Sequence, residues 1–266
     1  MQVVLITGGS TGIGRATGEL LQSNAYTVIG TSRFPDRYKN HSFPLIQMDL
    51  HDAQSIQKAI ETVVYQYGSI DILVNNAGKG IAGPLEETPL EEIRSVFETN
   101  LVGATAVLQS VLPVMRKQNK GKIINITSIA GYSGLPFRAA YSATKSALHI
   151  LTESLRLELK PTKIQCCTLA PGDVATNISQ GRYHVPVKEN SPYQVIYGAV
   201  RKDMDAHVDD GVSAKTVAIS IYRLIRKNKL NPHYTVGPFI QRFSVYLKTY
   251  LPAKLYEFIL SKFYKL

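Results

Sequence analysis

The 266-residue chain has no tryptophan and only two cysteines, and its C-terminal part is nearly without acids. Each scarcity excludes something. Cys166 and Cys167 are neighbours, so a bridge between them would be strained. Two free thiols inside a strand pattern fit a reducing compartment and exclude a disulfide scaffold. No apolar run is long enough to span a bilayer, and "QVVLIT" leads directly into a glycine cluster without the basic n-region or cleavage site of a secretory leader. The chain is therefore expected to be cytoplasmic, either soluble or peripheral at a membrane.

The net charge is +10, and its location matters more than its size. From Tyr222 to Leu266 there are nine Lys and Arg against one acid, Glu257, so eight of the ten net charges fall in that stretch. The cations are spaced along helical segments without a recognisable nucleic-acid module, which argues against nucleic acid as partner. No metal-ligand set is read from the sequence.

At 44 % hydrophobic, the chain can build one substantial core. Short β-branched runs, "QVVLIT", "TVIGTS", "PLIQMD", "IDILVN", "KIINIT" and "KIQCCTLA", alternate with longer stretches of helical period, such as Ile13 to Asn24, Ala53 to Gln66, Glu91 to Lys117 and Ala139 to Leu159. Strands with few polar positions, each followed by a helix, imply a parallel sheet covered on both faces. The expected class is α/β, a single doubly wound Rossmann-type domain over residues 1–238 with a seven-stranded parallel sheet. After Pro171-Gly172 the alternation stops, and residues 173–210 are read as a flap with a helix from Pro192 to Met204. Ser213 is expected to cap a helix to about Lys227, and "HYTVG" to form the last strand.

Several motifs sit at the carboxyl ends of these strands. "TGGSTGIG", Thr7 to Gly14, lies between the first strand and the first helix. Its glycines, Gly8, Gly12 and Gly14, let the backbone turn sharply, and with Ser10, Thr11 and Ile13 they open a helix whose free N–H groups suit a pyrophosphate. Where an NAD site places an acid for the ribose 2′-hydroxyl, "IGTSR" offers Arg33, whose guanidinium matches a 2′-phosphate. This favours NADP(H), with NAD(H) as the alternative. In "MDL", Asp49 either meets an adenine amino group or caps the helix near Ala53, with Leu50 beside it. "NNAGKG" brings Asn76, Ala77 and Gly78 to the same cleft.

"INITS" ends the fifth strand at Ser128, and Tyr141 follows thirteen positions later in "AYSATKSAL". Positions i and i+4 share a helix face, so Lys145 lies one turn from Tyr141. A tyrosine with a pKa of about 10 is a weak base near neutrality, and a nearby ammonium favours the phenolate. From the pair alone, an ordinary Tyr-Lys contact on a wet face is the simpler reading. His149, one turn further on, is read as packing or a helix-helix contact.

Taken together, "TGGSTGIG", "MDL", "NNAG", the Asn100 of "ETNLVG", Ser128, Tyr141 with Lys145, and "PGDVAT" resemble the short-chain dehydrogenase/reductase family over about residues 2 to 238. Within it, "GLPFRAAYSATKSAL" and "IAGPLEE" are similar to the branch of 17β-hydroxysteroid and retinol dehydrogenases. The resemblance implies a catalytic tetrad of Asn100, Ser128, Tyr141 and Lys145. The tyrosine would pass the proton, lysine would hold the nicotinamide ribose and lower the tyrosine pKa, serine would orient the carbonyl, and asparagine would support a water. It also implies that Pro171, Gly172, Val174 and Thr176 touch the nicotinamide end. The branch does not identify the substrate; a small apolar molecule such as a steroid, retinoid or acyl lipid is expected, and the chain is expected to form a homodimer or homotetramer. Lys79 departs from the pattern, standing where a small or apolar residue is usual.

Residues 239–266 repeat apolar side chains at helical spacing, Phe239, Phe243, Tyr246/Leu247 and Tyr250/Leu251, then Leu255, Ile259 and Phe263 after Pro252. Two basic amphipathic helices broken at Pro252 are expected. They either complete the core, contact another subunit or substrate, or rest on an anionic membrane. Two readings outside catalysis stand beside the oxidoreductase: a dinucleotide-binding sensor and a membrane-attached scaffold.

Overall fold

The computed structural model describes residues 1–38, 40–175, 181–209 and 211–266, without the side chains of 203 and 205–209. Seven strands form one parallel sheet: β1 (Val3–Ile6), β2 (Thr27–Ser32), β3 (Leu45–Gln47), β4 (Ile72–Asn75), β5 (Gly121–Ile126), β6 (Ile164–Pro171) and β7 (His233–Val236). Their spatial order is β3-β2-β1-β4-β5-β6-β7, so the winding reverses between β1 and β4. Ligands in such sheets sit at that reversal, beyond the carboxyl ends of the strands.

The apolar runs become strands because both faces are covered. In β1, Val3 and Leu5 enter one core with α2 (Ala53–Tyr67), α4 (Ala104–Gln118) and α5 (Ala139–Glu158), while Val4 and Ile6 enter the other with α1 (Gly12–Gln22) and α7 (Ala214–Arg226). The period-two alternation of side chains is therefore apolar on both sides. It also separates the cysteines, since Cys166 belongs to the first core and Cys167 to the second. Burial pushes both thiols up to about 12, which keeps them inert.

Caps set the helix ends. Asp52 accepts from the Gln54 N–H at 2.8 Å and Ser213 from the Thr216 N–H at 3.2 Å. Asp49, the alternative cap read from the sequence, instead accepts from the His51 N–H at 3.0 Å in a tight local turn. A π-helical stretch, Glu98–Gly103, joins α3 (Leu90–Phe97) to α4, and its wider turn carries Asn100 into the interior.

The segment after β6 is more regular than its irregular sequence suggests. Val174–Ala175 pairs with Val212–Ser213, Tyr183–His184 pairs with Ile81–Ala82, and α6 spans Gln194–Asp209, longer than expected. At the C-terminus, α8 (Phe239–Tyr250) and α9 (Ala253–Phe263) break at Pro252 as expected.

Edge strand β7 is fastened to α5 by rings. His149 and His233 stack at 4.0 Å between centroids, both imidazoles face Glu153, at 3.4 and 3.0 Å, and Tyr132 meets His149 edge-on. Burial, and then His233 itself, hold His149 down to about 4, and burial lowers His233 as well. The folded state then binds fewer protons than the unfolded chain below the ordinary histidine pKa of about 6.5, so stability falls as pH drops from there toward 4. Replacing His149 by Phe keeps a ring and removes one of these protons. The drop in melting temperature between neutral pH and about pH 5 should be smaller in His149→Phe than in the wild type, read by calorimetry.

Candidate active site

The glycine turn is built by local geometry and held from below. Gly8 and Gly12 have φ of +64° and +53°, the left-handed region that favours glycine. A side chain on Gly14 would place its Cβ 2.2 Å from the Gly8 carbonyl oxygen. Thr11 precedes α1 without capping it through its side chain, so the first N–H groups of the helix remain open to an anion. The "NNAG" loop braces this turn: Asn76 Nδ2 donates to the carbonyls of Thr7 (3.0 Å) and Gly8 (3.3 Å), and the N–H groups of Asn76 and Ala77 donate to Thr7 Oγ1.

Beneath the turn runs a buried polar chain that the sequence reading missed. Thr7 Oγ1 donates to Asn75 Oδ1, Asn75 Nδ2 to Asn125 Oδ1, and Asn125 Nδ2 to Thr152 Oγ1, at 3.3, 3.1 and 2.9 Å. It links β1, β4 and β5 to α5. The signal was present as Asn75 and Asn125 inside otherwise apolar strands.

Above the turn lies a cleft of about 460 Å³, lined by Gly8, Ser10, Thr11, Arg33, Asp49, Leu50, Ala77 and Gly78 among the expected residues. Thr31 and Ser32 of "IGTSR" line it too, as do Phe34, Tyr38 and His51, which were not singled out. Arg33 and Arg37 both approach the ring of Phe34, with guanidinium carbons 5.8 and 4.3 Å from its centroid. The end of β2 thus presents cations and hydroxyls.

Gly78, Lys79 and Gly80 form a wall shared between this cleft and a cavity of about 100 Å³. Ile13, Asn76, Ser128, Tyr141, Lys145, Pro171, Gly172 and Val174 all line it, whereas Thr176 lies outside the described residues. Arg138, Asp173 and Arg182 add charged groups to the wall. Small residues allow this convergence. A Cβ on Gly131 would come within 3.0 Å of the backbone of Lys145, so the loop bearing Ser128 lies directly against α5.

Asn100 sits behind the cavity wall. Its Oδ1 accepts from the Lys79 N–H at 2.7 Å, and its Nδ2 donates to the Lys79 carbonyl (2.9 Å) and to Thr144 Oγ1 (3.1 Å). A Cβ on Gly78 would be 3.2 Å from Asn100 Oδ1 and 3.3 Å from Lys145 Nζ, so this glycine is wedged between the two side chains. Lys79 turns away, pairing with Glu92 at 2.7 Å on α3.

Lys145 is the electrostatic centre. It is buried, it donates to the Ile126 carbonyl at 3.1 Å, and burial lowers its pKa to about 8. Ser128 Oγ accepts from the Ala130 N–H at 3.2 Å and lies 3.5 Å from the Pro171 carbonyl, a long contact that leaves its proton available to another oxygen.

The family model for short chain dehydrogenases matches residues 2–185. The chain belongs to the short-chain dehydrogenase family. A 3-ketodihydrosphingosine reductase of Bacteroides thetaiotaomicron is 33 % identical over 264 residues, covering 99 % of this chain and 98 % of that protein. Among solved structures, a short-chain dehydrogenase/reductase from Burkholderia phymatum in complex with NAD superposes with a TM-score of 0.79 at 26 % identity, covering 92 % of each chain. ElxO with NADP bound does so with a TM-score of 0.70 at 28 % identity, covering 88 % of this chain and 96 % of that one. The chain is thus an oxidoreductase of this family, with the expected seven-stranded sheet and a nicotinamide dinucleotide as cofactor. The glycine turn, the open start of α1 and the adjoining cleft fit such a group.

Because the folded pKa of Lys145 lies below its ordinary value of 10.5, the buried ammonium lowers stability at neutral pH, by an amount on the order of 3 kcal/mol. Stability then rises with pH between about 8 and 10.5, where the folded state binds fewer protons than the unfolded one. Lys145→Met is expected to melt no lower than the wild type at neutral pH, and its advantage to shrink as pH rises through that range, by differential scanning calorimetry.

Proposed function

We propose that this chain is an NADPH-dependent reductase of a ketone-bearing, long-chain lipid, with Tyr141 as the proton donor. The observation that carries the reading is the convergence of Ser128, Tyr141 and Lys145 on one cavity that shares the Gly78–Gly80 wall with the glycine-turn cleft. When bound, the dihydronicotinamide supplies a hydride to the carbonyl carbon. The residues of the chain handle the oxygen: Ser128 donates to it and orients it, and Tyr141 gives it a proton, leaving an alcohol and a phenolate. The Lys145 ammonium, poorly solvated where it is buried, gains from the negative charge that develops on Tyr141. Asn100 holds the Gly78–Gly80 backbone beside Lys145.

Preference for NADPH rests on Arg33, which follows Thr31 and Ser32 at the end of β2 in place of an acid, with Arg37 nearby over the Phe34 ring. The apolar substrate class rests on two supports. One relative of nearly equal length acts, by its name, on a 3-keto sphingoid lipid. Ala82 and Phe137, the chain neighbours of the cavity-lining Ile81 and Arg138, form an apolar cluster with Val200, Met204 and Tyr264, to which α6 and the C-terminal segment both contribute.

The test is NADPH oxidation with a panel running from short ketones to long-chain 3-keto amines. Tyr141→Phe is expected to lower kcat at least about a hundredfold while cofactor affinity changes little. Retained turnover would refute the assigned donor. Tight NADPH binding with no oxidation on any ketone or aldehyde would favour the sensor reading instead. Separately, Arg33→Ala is expected to weaken NADPH binding about tenfold or more and leave NADH binding nearly unchanged, by fluorescence titration; equal losses for both would show that Arg33 does not read the phosphate.

A further inference from the structure

The C-terminal helices carry their apolar stripes on the outside. In α8, Phe239, Phe243, Tyr246 and Tyr250 recur at i, i+4, i+7 and i+11, one face of a helix. They are 74, 46, 60 and 81 % exposed, and Phe239 stacks on Phe243 at 5.7 Å. An amphipathic helix ordinarily turns such a stripe to the core. Here the polar side is the anchored one: Gln241 Nε2 donates to Asp173 Oδ2 at 2.6 Å, and its Oε1 accepts from the Asp173 N–H at 2.9 Å. No residue of α8 is fully buried.

In α9 the pattern repeats. Leu255, Phe258 and Ile259 are exposed, while Tyr256, at the edge of that face, is buried and shares a hydrogen bond of 2.8 Å with Ser133 Oγ. Both helices are thus fixed to the body by specific polar contacts, and their aromatic faces are presented outward. Such an exposed patch marks an interaction surface.

Its charge selects the partner. Residues 239–266 hold Arg242, Lys248, Lys254, Lys262 and Lys265 against Glu257. Self-association of this face about a two-fold axis would bring the same cations together, which is repulsive. An anionic bilayer surface takes both features at once, the rings entering the headgroup boundary and the cations meeting lipid phosphates. Among the described residues no helix is long and apolar enough to cross a membrane, so the geometry is one of lying on the surface.

We propose that α8 and α9 form a docking surface for anionic membranes. The experiment is co-sedimentation of the full chain with vesicles of phosphatidylglycerol mixed with phosphatidylcholine, and with phosphatidylcholine alone. The wild type is expected to pellet with the anionic vesicles, several-fold less with the neutral ones, and less again at about 0.5 M salt. Phe239→Ser should weaken partitioning about tenfold or more, since the apolar anchor that enters the headgroup boundary is lost. Lys254→Glu with Lys262→Glu should remove the preference for anionic lipid. The altered side chains are exposed, so circular dichroism and NADPH binding should not change. A wild type that stays in the supernatant with anionic vesicles would overturn the proposal. So would a Phe239→Ser variant that keeps vesicle binding and shifts from oligomer to monomer by size-exclusion chromatography, which would assign the face to a second copy of the chain.

Discussion

The hydrogen-bonded chain from Thr7 through Asn75 and Asn125 to Thr152 sets the geometry on which the site depends. Burial of apolar side chains specifies the register of the strands, and side-chain contacts add to it at their carboxyl ends. Asn75 and Asn125 are register partners on adjacent strands, so their side-chain contact locks β4 against β5 at the carboxyl edge. Thr152 carries the lock into α5, and Thr7 into the start of the glycine turn. Each member is buried, and loss of one would leave its neighbour's polar atoms unmatched, a larger penalty than the net worth of a single hydrogen bond. The two ends of the cleft, one built for a dinucleotide and one holding Tyr141 and Lys145, are therefore parts of one rigid frame.

Within that frame the buried lysine is held against its own preference. A carboxylate beside Lys145 would stabilise the ammonium, yet the nearby groups are a carbonyl, a glycine backbone and the amide of Asn100. A neutral surrounding keeps the positive charge uncompensated and directs its field at whatever oxygen acquires negative charge nearby. The tight placement of Gly78 shows how little room is left, since even a methyl group there would crowd both Asn100 and Lys145. Lys79, the unexpected residue after "NNAG", does not disturb this arrangement, because Glu92 draws its ammonium toward α3.

Sequence pattern carried the fold because each strand is a short apolar run between turn residues, and a parallel sheet buried on both faces requires such runs. The sheet order and the grouping of Ser128, Tyr141 and Lys145 follow from elements that the motifs themselves punctuate. Other features depend on contacts between distant positions and had no local sign. Gln241 reaches Asp173 across 68 positions, and nothing near either residue announces the other. Asp49 and Asp52 are equally plausible caps by type, and only the backbone geometry assigns the cap to Asp52. The segment after β6 looked irregular because its two-residue strands are too short to leave a period.

The C-terminal stripes show the limit most directly. Helical spacing identifies which side chains share a face, but it is symmetric with respect to which way the face points. Here the direction is settled by a minority of polar residues: Gln241 and Tyr256 each find a partner on the body, at Asp173 and Ser133, and the side of α8 opposite Gln241 is thereby turned outward. The anchor of α8 adjoins Gly172, whose close packing against Gln241 leaves no space for a side chain, and Gly172 itself lines the cavity of Ser128 and Tyr141. The outward aromatic face and the reaction cavity are thus joined through one residue of backbone. On the readings proposed above, the face that docks on lipid and the cavity that takes the ketone share the contact of Gln241 with Asp173 and Gly172, so a disturbance of the docked helix would be felt first at the cavity wall.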